Sequence, residues 1–259
     1  MKVLPMRGPL SLLGMIAAAL AVSSSVHAQT FSTASTSTDA AGDPVKAEAT
    51  FHVTTNNVHV DLWNLIVNQN DVGQNISDLF FTVSSAQSTG NLTGSSGASG
   101  TVASDGTFTS GGILTPTRWQ LQAYDATFGF HLNDLGFGQP KQTILGSPNP
   151  ITGKYSANSS IAGNDPHNPF LVGDVSFDVA ISGLSAGDFV NSATFSFGTT
   201  AGDNVRGTLD PAVTPEGDSL LPVSSGLLPL GGLGLWHRRR RNLRKSGLLG
   251  RTGTRTAAQ

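Results

Sequence analysis

The stretch VKAEATFHVTTNNVHVDL, residues 45–62, decides the fold class because apolar and polar residues alternate along both of its halves. A period of two residues is typical of a β-strand with one buried face. Asn56 and Asn57 lie between the two alternating runs and predict a tight two-residue turn. This turn would join the runs into an antiparallel hairpin in which Val53 lies opposite Val60.

Several later segments repeat this short alternation and are separated by clusters of Gly, Asn, Asp and Pro. They predict strands at residues 76–84, 118–124, 127–132, 174–182 and 191–200, with a second hairpin turn at Asp105-Gly106. The sequence between the two chain ends shows no 3.6-residue apolar period of the kind found in amphipathic helices. The pattern predicts an all-β fold, an antiparallel β-sandwich or jelly roll over residues 45–210.

Three polar stretches are predicted to lack regular structure. Residues 29–44 are small and polar and indicate a flexible leader before the body. Residues 84–100 are rich in Gly, Ser and Thr and indicate a long loop. Residues 136–169 contain five prolines and indicate an irregular connection within one domain, because either flank alone is short for an independent core.

The N-terminus has the layout of a secretory signal peptide. Lys2 and Arg7 precede an apolar run at residues 10–22, and small residues follow up to Ala28. This order predicts export with removal of residues 1–28, whereas the alternative is a buried N-terminal helix. The chain has no cysteine, so an exported body is expected to fold without disulfides.

The C-terminus contains an apolar segment followed by an arginine cluster. Residues 219–236 carry no charge, and as a helix they would extend about 27 Å, close to the hydrocarbon thickness of a membrane. Four consecutive arginines follow, namely Arg238, Arg239, Arg240 and Arg241. Positive charge beside a membrane segment stays on the cytoplasmic side. The order therefore predicts a transmembrane helix, stop-transfer arginines and a body on the outer side.

Pro215 and Glu216 stand just before this apolar segment. The order of Pro-Glu pair, apolar segment and arginine cluster resembles the C-terminal sorting signal of the PEP-CTERM family of exported bacterial proteins. In that family an exosortase, a membrane-embedded protease, is thought to cleave near the Pro-Glu motif, and members are commonly linked to extracellular polysaccharide. The resemblance implies that Pro215 and Glu216 form the processing motif of a sorting signal at residues 214–245.

Two features depart from the family pattern. Gly217 occupies a position where the family usually has proline, and residues 246–259 continue beyond the arginine cluster as a predicted disordered tail. The alternative for the C-terminus is a plain membrane anchor that is not processed. The resemblance covers residues 214–259 and leaves the body unassigned.

The body of the chain is acidic. Residues 29–213 contain fifteen acidic against five basic residues, a formal charge of −10, whereas the whole chain carries −2. An acidic surface repels phosphate backbones, so nucleic acid is not an expected partner. Asp203, Asn204 and Asp210 are candidate Ca²⁺ ligands, although they lack the regular spacing of a calcium loop. Solvated turn residues are the simpler interpretation of these positions.

The histidines of the first hairpin offer a second metal hypothesis. The predicted register places His52 opposite Asp61, with His59 diagonal to it on the outer face. Two imidazoles and a carboxylate could hold zinc. A polar outer strand face has the same pattern and is the favoured interpretation.

The sequence favours a non-enzymatic function. It contains no cysteine nucleophile, no Gly-x-Ser-x-Gly turn and no phosphate-binding loop. Apart from the candidate Ca²⁺ no cofactor is predicted, and the expected function is that of an exported surface protein linked to extracellular polysaccharide. The alternative is a carbohydrate-binding or polysaccharide-acting module that stacks sugar rings on Trp63, Trp119, Tyr124 and Phe128. Aromatic residues within alternating strands are more often core residues.

Overall fold

The computed structural model describes residues 28–155 and 158–211, and this part of the chain is all-β. Contacts divide the chain into Met1–Val213 and Thr214–Gln259, and every described residue belongs to the first unit. The predicted signal helix, sorting signal, transmembrane helix and C-terminal tail lie outside the described residues.

The described part contains thirteen strands and three 3-10 helices of three residues each. The strands are β1 (Ala28–Ser32), β2 (Ala47–Thr54), β3 (Asn57–Asn64), β4 (Ile76–Val83), β5 (Asn91–Val102), β6 (Phe108–Leu114), β7 (Gln120–Asp125), β8 (Gly129–Asn133), β9 (Ile144–Leu145), β10 (Phe170–Ala180), β11 (Val190–Phe197), β12 (Asn204–Arg206) and β13 (Thr208–Leu209). The 3-10 helices are Val72–Gln74, Leu135–Phe137 and Asp165–His167. Every predicted strand overlaps an observed one, so the all-β prediction is confirmed for these residues.

The strands form one sheet in the order β12-β11-β4-β9-β10-β3-β2-β1-β13. In addition, β5 pairs with β10 and β6, and β8 pairs with β4 and β7. Most of these pairs are antiparallel, but β9 runs parallel to β10, with Ile144 opposite Leu171. The sheet is therefore mixed, which corrects the purely antiparallel prediction. The connection over residues 146–169 is long enough to return the chain in the same direction.

The sheet folds back on itself, so that strands distant in the sheet order pack face to face. The ring of Phe51 on β2 lies 5.4 Å from that of Phe81 on β4, and the ring of Trp119 lies 5.1 Å from that of Phe177 on β10. All four side chains are at most 2 % exposed. Burial of such side chains contributes roughly 1.5–3 kcal/mol each, so these aromatic contacts stabilise the body without disulfides.

The β2–β3 hairpin has the predicted alternation. Ala49, Phe51 and Val53 are buried on β2, and Val58 and Val60 are buried on β3. The register differs by two residues from the prediction, since Val53 pairs with Val58 rather than with Val60. Side chains alternate with a period of two, so this shift leaves the same side chains facing the core.

The turn of this hairpin is formed by Thr55 and Asn56 rather than by Asn56 and Asn57. Asn56 has a φ of 59°, in the left-handed region that asparagine tolerates. Its backbone binds the loop after β10, because its N–H donates to the Leu184 carbonyl at 3.1 Å and its carbonyl accepts from the Ile181 N–H at 3.0 Å. A tertiary contact therefore selects the position of the turn.

The longest described strand, β5, occupies much of the stretch 84–100 that was predicted as a loop. It pairs with β10 on one side and with β6 on the other, and both Ser95 and Ser99 are buried. A Cβ added to Gly100 would lie 2.2 Å from the ring of Phe108. The loop prediction was wrong because Gly and Ser carry little periodic signal, yet close approach of neighbouring chains requires them.

The predicted flexible leader at residues 29–44 is corrected by β1, which pairs with both β2 and β13. Phe31 is 3 % exposed and meets the ring of Phe51 edge-on at 5.8 Å. The turns that follow are held by Asp39, whose carboxylate accepts the N–H of Asp43 at 2.8 Å. Polar, low-complexity sequence is ordered here because one apolar side chain enters the core and the backbone extends the sheet.

The described residues of the stretch 136–169 are largely irregular, as predicted, and contain the short strand β9. They contribute to a second, smaller apolar cluster beside the main core, formed by Val102, Leu145, Tyr155, Ile161, Ala162 and Phe170. The hydroxyl of Tyr155 donates to the Gly146 carbonyl at 2.7 Å. The connection therefore packs against the body through its own buried side chains.

Candidate functional site

The residues predicted to direct sorting, Pro215, Glu216 and Arg238 to Arg241, lie outside the described residues. Their roles stay predictions. Among the helices of residues 28–155 and 158–211, none has the length and apolar character needed to cross a membrane.

The candidate Ca²⁺ ligands lie at opposite ends of the sheet order. Asp203 and Asn204 are at β12, whereas Asp210 follows β13. The Asp203 carboxylate accepts the Ala40 N–H at 2.8 Å, and the Asp210 carboxylate accepts the Ser32 hydroxyl at 2.8 Å. The described part of the chain contains no group of three or more His, Cys, Asp or Glu residues that could hold a metal ion. The three candidate ligands are thus not brought together, and Ca²⁺ binding stays a prediction.

The histidines of the first hairpin lie on its outer face, as expected. The two-residue register shift places His52 opposite His59 instead of Asp61, with ring centroids 6.3 Å apart. His59 Nδ1 hydrogen-bonds to Asp178 at 2.8 Å and Nε2 to Asp61 at 3.2 Å. Partial burial lowers the pKa of His59, but the hydrogen bonds and charges of the two carboxylates outweigh it and raise the pKa above its ordinary value. The cluster is a charge-paired strand face.

The aromatic residues considered for sugar stacking do not form one exposed row. Trp119 is 2 % exposed and belongs to the core, and Trp63 is half-buried on β3. Tyr124 is exposed, but its ring packs edge-on against Phe130 at 5.2 Å. Phe128, in the turn between β7 and β8, is half-buried. The stacking role predicted for Trp119 is therefore not supported, because its ring is buried, although Trp119 and Phe128 each border a depression described below.

A groove of about 900 Å³ lies between residues 90–95 and residues 116–121. Leu92 and Leu121 pack against the core on either side of it. Ser95 Oγ closes one end, where it accepts hydrogen bonds from the N–H and the hydroxyl of Thr117, both at 2.9 Å. An opening of this kind between two segments can accommodate an extended chain.

Beside this groove a buried ion pair joins the start of β7 to the chain after β8. The Arg118 guanidinium lies 3.5 Å from the carboxylate of Asp134, which is fully buried. The same carboxylate accepts the Gln142 N–H at 2.9 Å. Burial raises the pKa of Asp134 to about 6, although the Gln142 hydrogen bond and the charge of Arg118 oppose the shift. This carboxyl group therefore titrates in mildly acidic solution.

A second buried carboxyl group, Asp78 on β4, faces His131 on β8 with 3.5 Å between Oδ2 and Nε2. Burial raises the pKa of Asp78 despite the neighbouring imidazole. Its Oδ1 atom and the hydroxyl of Ser196, the residue directly opposite on β11, are buried without a hydrogen-bond partner in the described residues. Buried polar atoms of this kind commonly bind an internal water molecule.

Arg206 lies between two adjoining depressions of about 420 and 340 Å³ that share it and Ser192. We call them together the Arg206 trough. The larger is lined by Thr127, Phe128, Ser192, Thr194, Asn204 and Arg206, and the smaller by Phe31, Asn191, Ser192, Arg206, Gly207, Thr208 and Leu209. Neither lining includes an acidic residue. Among the described residues Arg206 takes part in no salt bridge.

The two ends of the described body lie side by side. β1 and β13 pair antiparallel, with Phe31 opposite Leu209, and the Asp210 N–H donates to the Thr30 carbonyl at 2.8 Å. The antiparallel direction brings Ala28 and Pro211 to the same end of this strand pair. The first and the last described residues therefore lie at one end of the body.

Searches of protein-family models, curated proteins and solved structures found no match to this chain.

Sequence reasoning missed the buried carboxyl groups and the trough. Asp78, Asp134 and His131 stand in polar positions of short strands or just after them, where the pattern indicates exposure. The chain returns to these strands at Gln142, whose N–H donates to Asp134 and whose carbonyl accepts from Trp119 Nε1. Arg206 was recognised only as one of five basic residues of the body. Its place between two depressions depends on pairing among strands far apart in the chain.

Proposed function

We propose that this chain is an exported, non-enzymatic surface protein whose body is presented on the outer side of the membrane and linked to extracellular polysaccharide. A C-terminal membrane segment holds it before an exosortase-type protease cleaves near Pro215 and Glu216. In this proposal the body is a β-sandwich, with β1, β2, β3, β10, β5 and β6 in one layer and β12, β11, β4, β8 and β7 in the other.

The observation that carries the proposal is the pairing of β1 with β13. The predicted signal peptide ends at Ala28, where β1 begins, and the predicted processing motif comes four residues after Pro211. Because both segments leave the body at one end, both can reach the same membrane surface without disturbing the sheet. A body with membrane segments at opposite ends could not bring both of them to one membrane surface in this way.

The proposal is also supported by the surface charge and by the core. A formal charge of −10 over residues 29–213 favours solubility outside the cell and disfavours nucleic acid as a partner. The buried aromatic contacts between Phe51 and Phe81 and between Trp119 and Phe177 allow folding without disulfides.

Intact mass measurement of the protein from membrane and extracellular fractions of its own cells tests this function. We expect an extracellular species that begins at Gln29 and ends near Pro215 or Glu216. The Glu216→Ala variant should keep the arginine tail and stay in the membrane fraction, because the protease would no longer recognise the motif. Asp218→Ala is the matched control, since it removes a carboxylate two residues away.

Two results would contradict the proposal. A membrane species that retains Arg238 to Arg241 in the unmodified protein would indicate a plain anchor without processing. Recovery of the chain in the cytoplasm with residues 1–28 intact would exclude export altogether.

A further inference from the structure

We propose that the Arg206 trough binds a carboxylate-bearing sugar, a uronate residue within a polysaccharide chain. This inference rests on the proposed function, because an extracellular body linked to polysaccharide is the setting in which such a ligand is met.

The charge distribution is the first argument. Of the five basic residues of the body, Arg118 and Lys154 are engaged with Asp134 and Asp105, at 3.5 and 2.7 Å. Arg206 is exposed and lies in a depression whose described lining holds no carboxylate, on a body that is otherwise strongly acidic. A guanidinium group binds a carboxylate through two parallel hydrogen bonds, a geometry that an ammonium group cannot reproduce.

The other side chains suit a sugar better than a bare anion. The hydroxyl of Thr194, directly opposite Arg206 in the β11–β12 pair, and the amide of Asn204 supply hydrogen-bonding groups for ring hydroxyls. Phe128 borders the same depression and offers an aromatic ring to the apolar C–H face of a sugar. A concave site with one aromatic ring and a few polar groups is the usual composition of a small-molecule site.

The wall that carries Phe128 is held in place before any ligand arrives. The Asp125 carboxylate accepts the N–H groups of Thr127 and Phe128, at 2.7 and 2.9 Å, and so fixes the turn between β7 and β8. On the other wall the hydroxyls of Ser192 and Thr82 lie 2.7 Å apart. A site on fixed elements loses less free energy on binding than one that must first be ordered.

The two depressions on either side of Arg206 indicate a chain rather than an isolated sugar. Each has about the volume of a small ligand pocket, 420 and 340 Å³, and Arg206 lies where they join. A uronate residue at Arg206 would have room for a neighbouring sugar towards Phe128 and another towards Leu209, which is 49 % exposed.

The test measures binding of trigalacturonate to the full-length protein in detergent at pH 7, by ligand-observed NMR titration. The methyl ester of the same trisaccharide is the control ligand, because it keeps the rings and removes the charge. A contact of this size is expected to give a Kd on the order of 1 mM for the acid and at least about tenfold weaker binding for the ester.

Two variants locate the site. Arg206→Gln should weaken binding of the acid at least about tenfold, as expected for loss of a charge-assisted contact, and Phe128→Leu should weaken binding of acid and ester alike. Lys141→Gln is the matched control, since it removes one exposed positive charge elsewhere and should leave binding unchanged.

Three outcomes would overturn the inference: no binding of trigalacturonate, equal binding of acid and ester, or equal effects of Arg206→Gln and Lys141→Gln. These results are independent of the processing experiment. A correctly processed protein that binds no uronate would refute the site and leave the proposed function intact, whereas a uronate-binding protein that is never exported would refute the function alone.

Discussion

Asn56 has the left-handed backbone of the β2–β3 turn and makes three hydrogen bonds to the loop after β10. Besides the two backbone contacts, its side-chain oxygen accepts the Gly183 N–H at 2.8 Å. Asn56 and Asn57 are equally suited to a positive φ, so the sequence indicated a turn at this pair without indicating which of them takes that conformation. The hydrogen bonds to a loop more than a hundred residues later favour the positive φ at Asn56.

Asp134 is a residue whose chemistry follows from burial rather than from its neighbours in sequence. Its pKa is about 6 because its carboxyl group is fully buried. An acid with a higher pKa in the folded than in the unfolded chain holds its proton more tightly when folded. Its contribution to stability is fully present below pH ~4 and is lost as the pH rises through the folded pKa.

We expect the Asp134→Asn variant to lose less stability than the unmodified protein between pH 4 and pH 7. The difference should reach up to about 3 kcal/mol in the free energy of unfolding, because each pKa unit corresponds to about 1.4 kcal/mol. Urea unfolding at pH 4, 5, 6 and 7 measures it. Parallel pH profiles of the two proteins would contradict the raised pKa.

Asp125→Asn serves as the control, because the pKa of this carboxyl group is shifted in the opposite direction. The Phe128 and Thr127 N–H groups lower the pKa of Asp125, so its contribution to stability is lost as the pH falls. The unmodified protein should therefore lose its advantage over the variant as the pH falls, so that the two profiles converge on the acidic side.

At the scale of elements, β5 is the strand that sequence patterns predicted least well. Its sequence, NLTGSSGASGTV, has few apolar residues, yet it lies between β10 and β6. The strand is ordered by backbone pairing and by close approach, and neither of these requires large side chains. Ser95 and Ser99 are buried there with hydrogen bonds to Thr117 and to the Gly112 carbonyl.

The Gly100→Ala substitution tests this packing. A Cβ at Gly100 would lie 2.2 Å from the Phe108 ring and 2.7 Å from the Thr109 carbonyl oxygen. We expect a loss of about 1–3 kcal/mol in the free energy of unfolding, measured by urea titration, because the neighbours must shift.

Gly94→Ala is the control on the same strand. Its Cβ would meet only the Asp178 side chain, with the nearest carboxylate oxygen at 3.0 Å, and this side chain is half exposed. The expected change is within about 1 kcal/mol. If both substitutions were neutral, residues 84–100 would behave as the loop that the sequence predicted.

At the scale of the whole molecule, β1 joins the N-terminal part of the body to its C-terminal end. It pairs with β2 along one edge and with β13 along the other, and Gln29 exchanges two hydrogen bonds with the backbone of Val190 on β11. These contacts connect β1 to the strands β2, β13 and β11. The region between the predicted cleavage site and β2 is thus part of the fold.

Phe31→Ala measures the contribution of β1. Phe31 is 3 % exposed and packs on Phe51, so its removal should lower the free energy of unfolding by about 3–5 kcal/mol. Phe189→Ala is the control, since Phe189 is 50 % exposed and a much smaller loss is expected. Equal effects of the two substitutions in thermal or urea unfolding would mean that residues 29–44 act as a flexible leader.

The alternation at residues 45–62 was enough to predict the all-β class and the inward positions of Phe51 and Val60. A period of two residues is a local property that only a strand with one buried face satisfies. The turn at Asn56, the strands β1 and β5, the parallel pair β9–β10, the pKa of Asp134 and the surroundings of Arg206 were decided by tertiary structure. Each depends on contacts between residues far apart in the chain, such as Gly97 with Val175. Small polar residues carry no local signal of such partners.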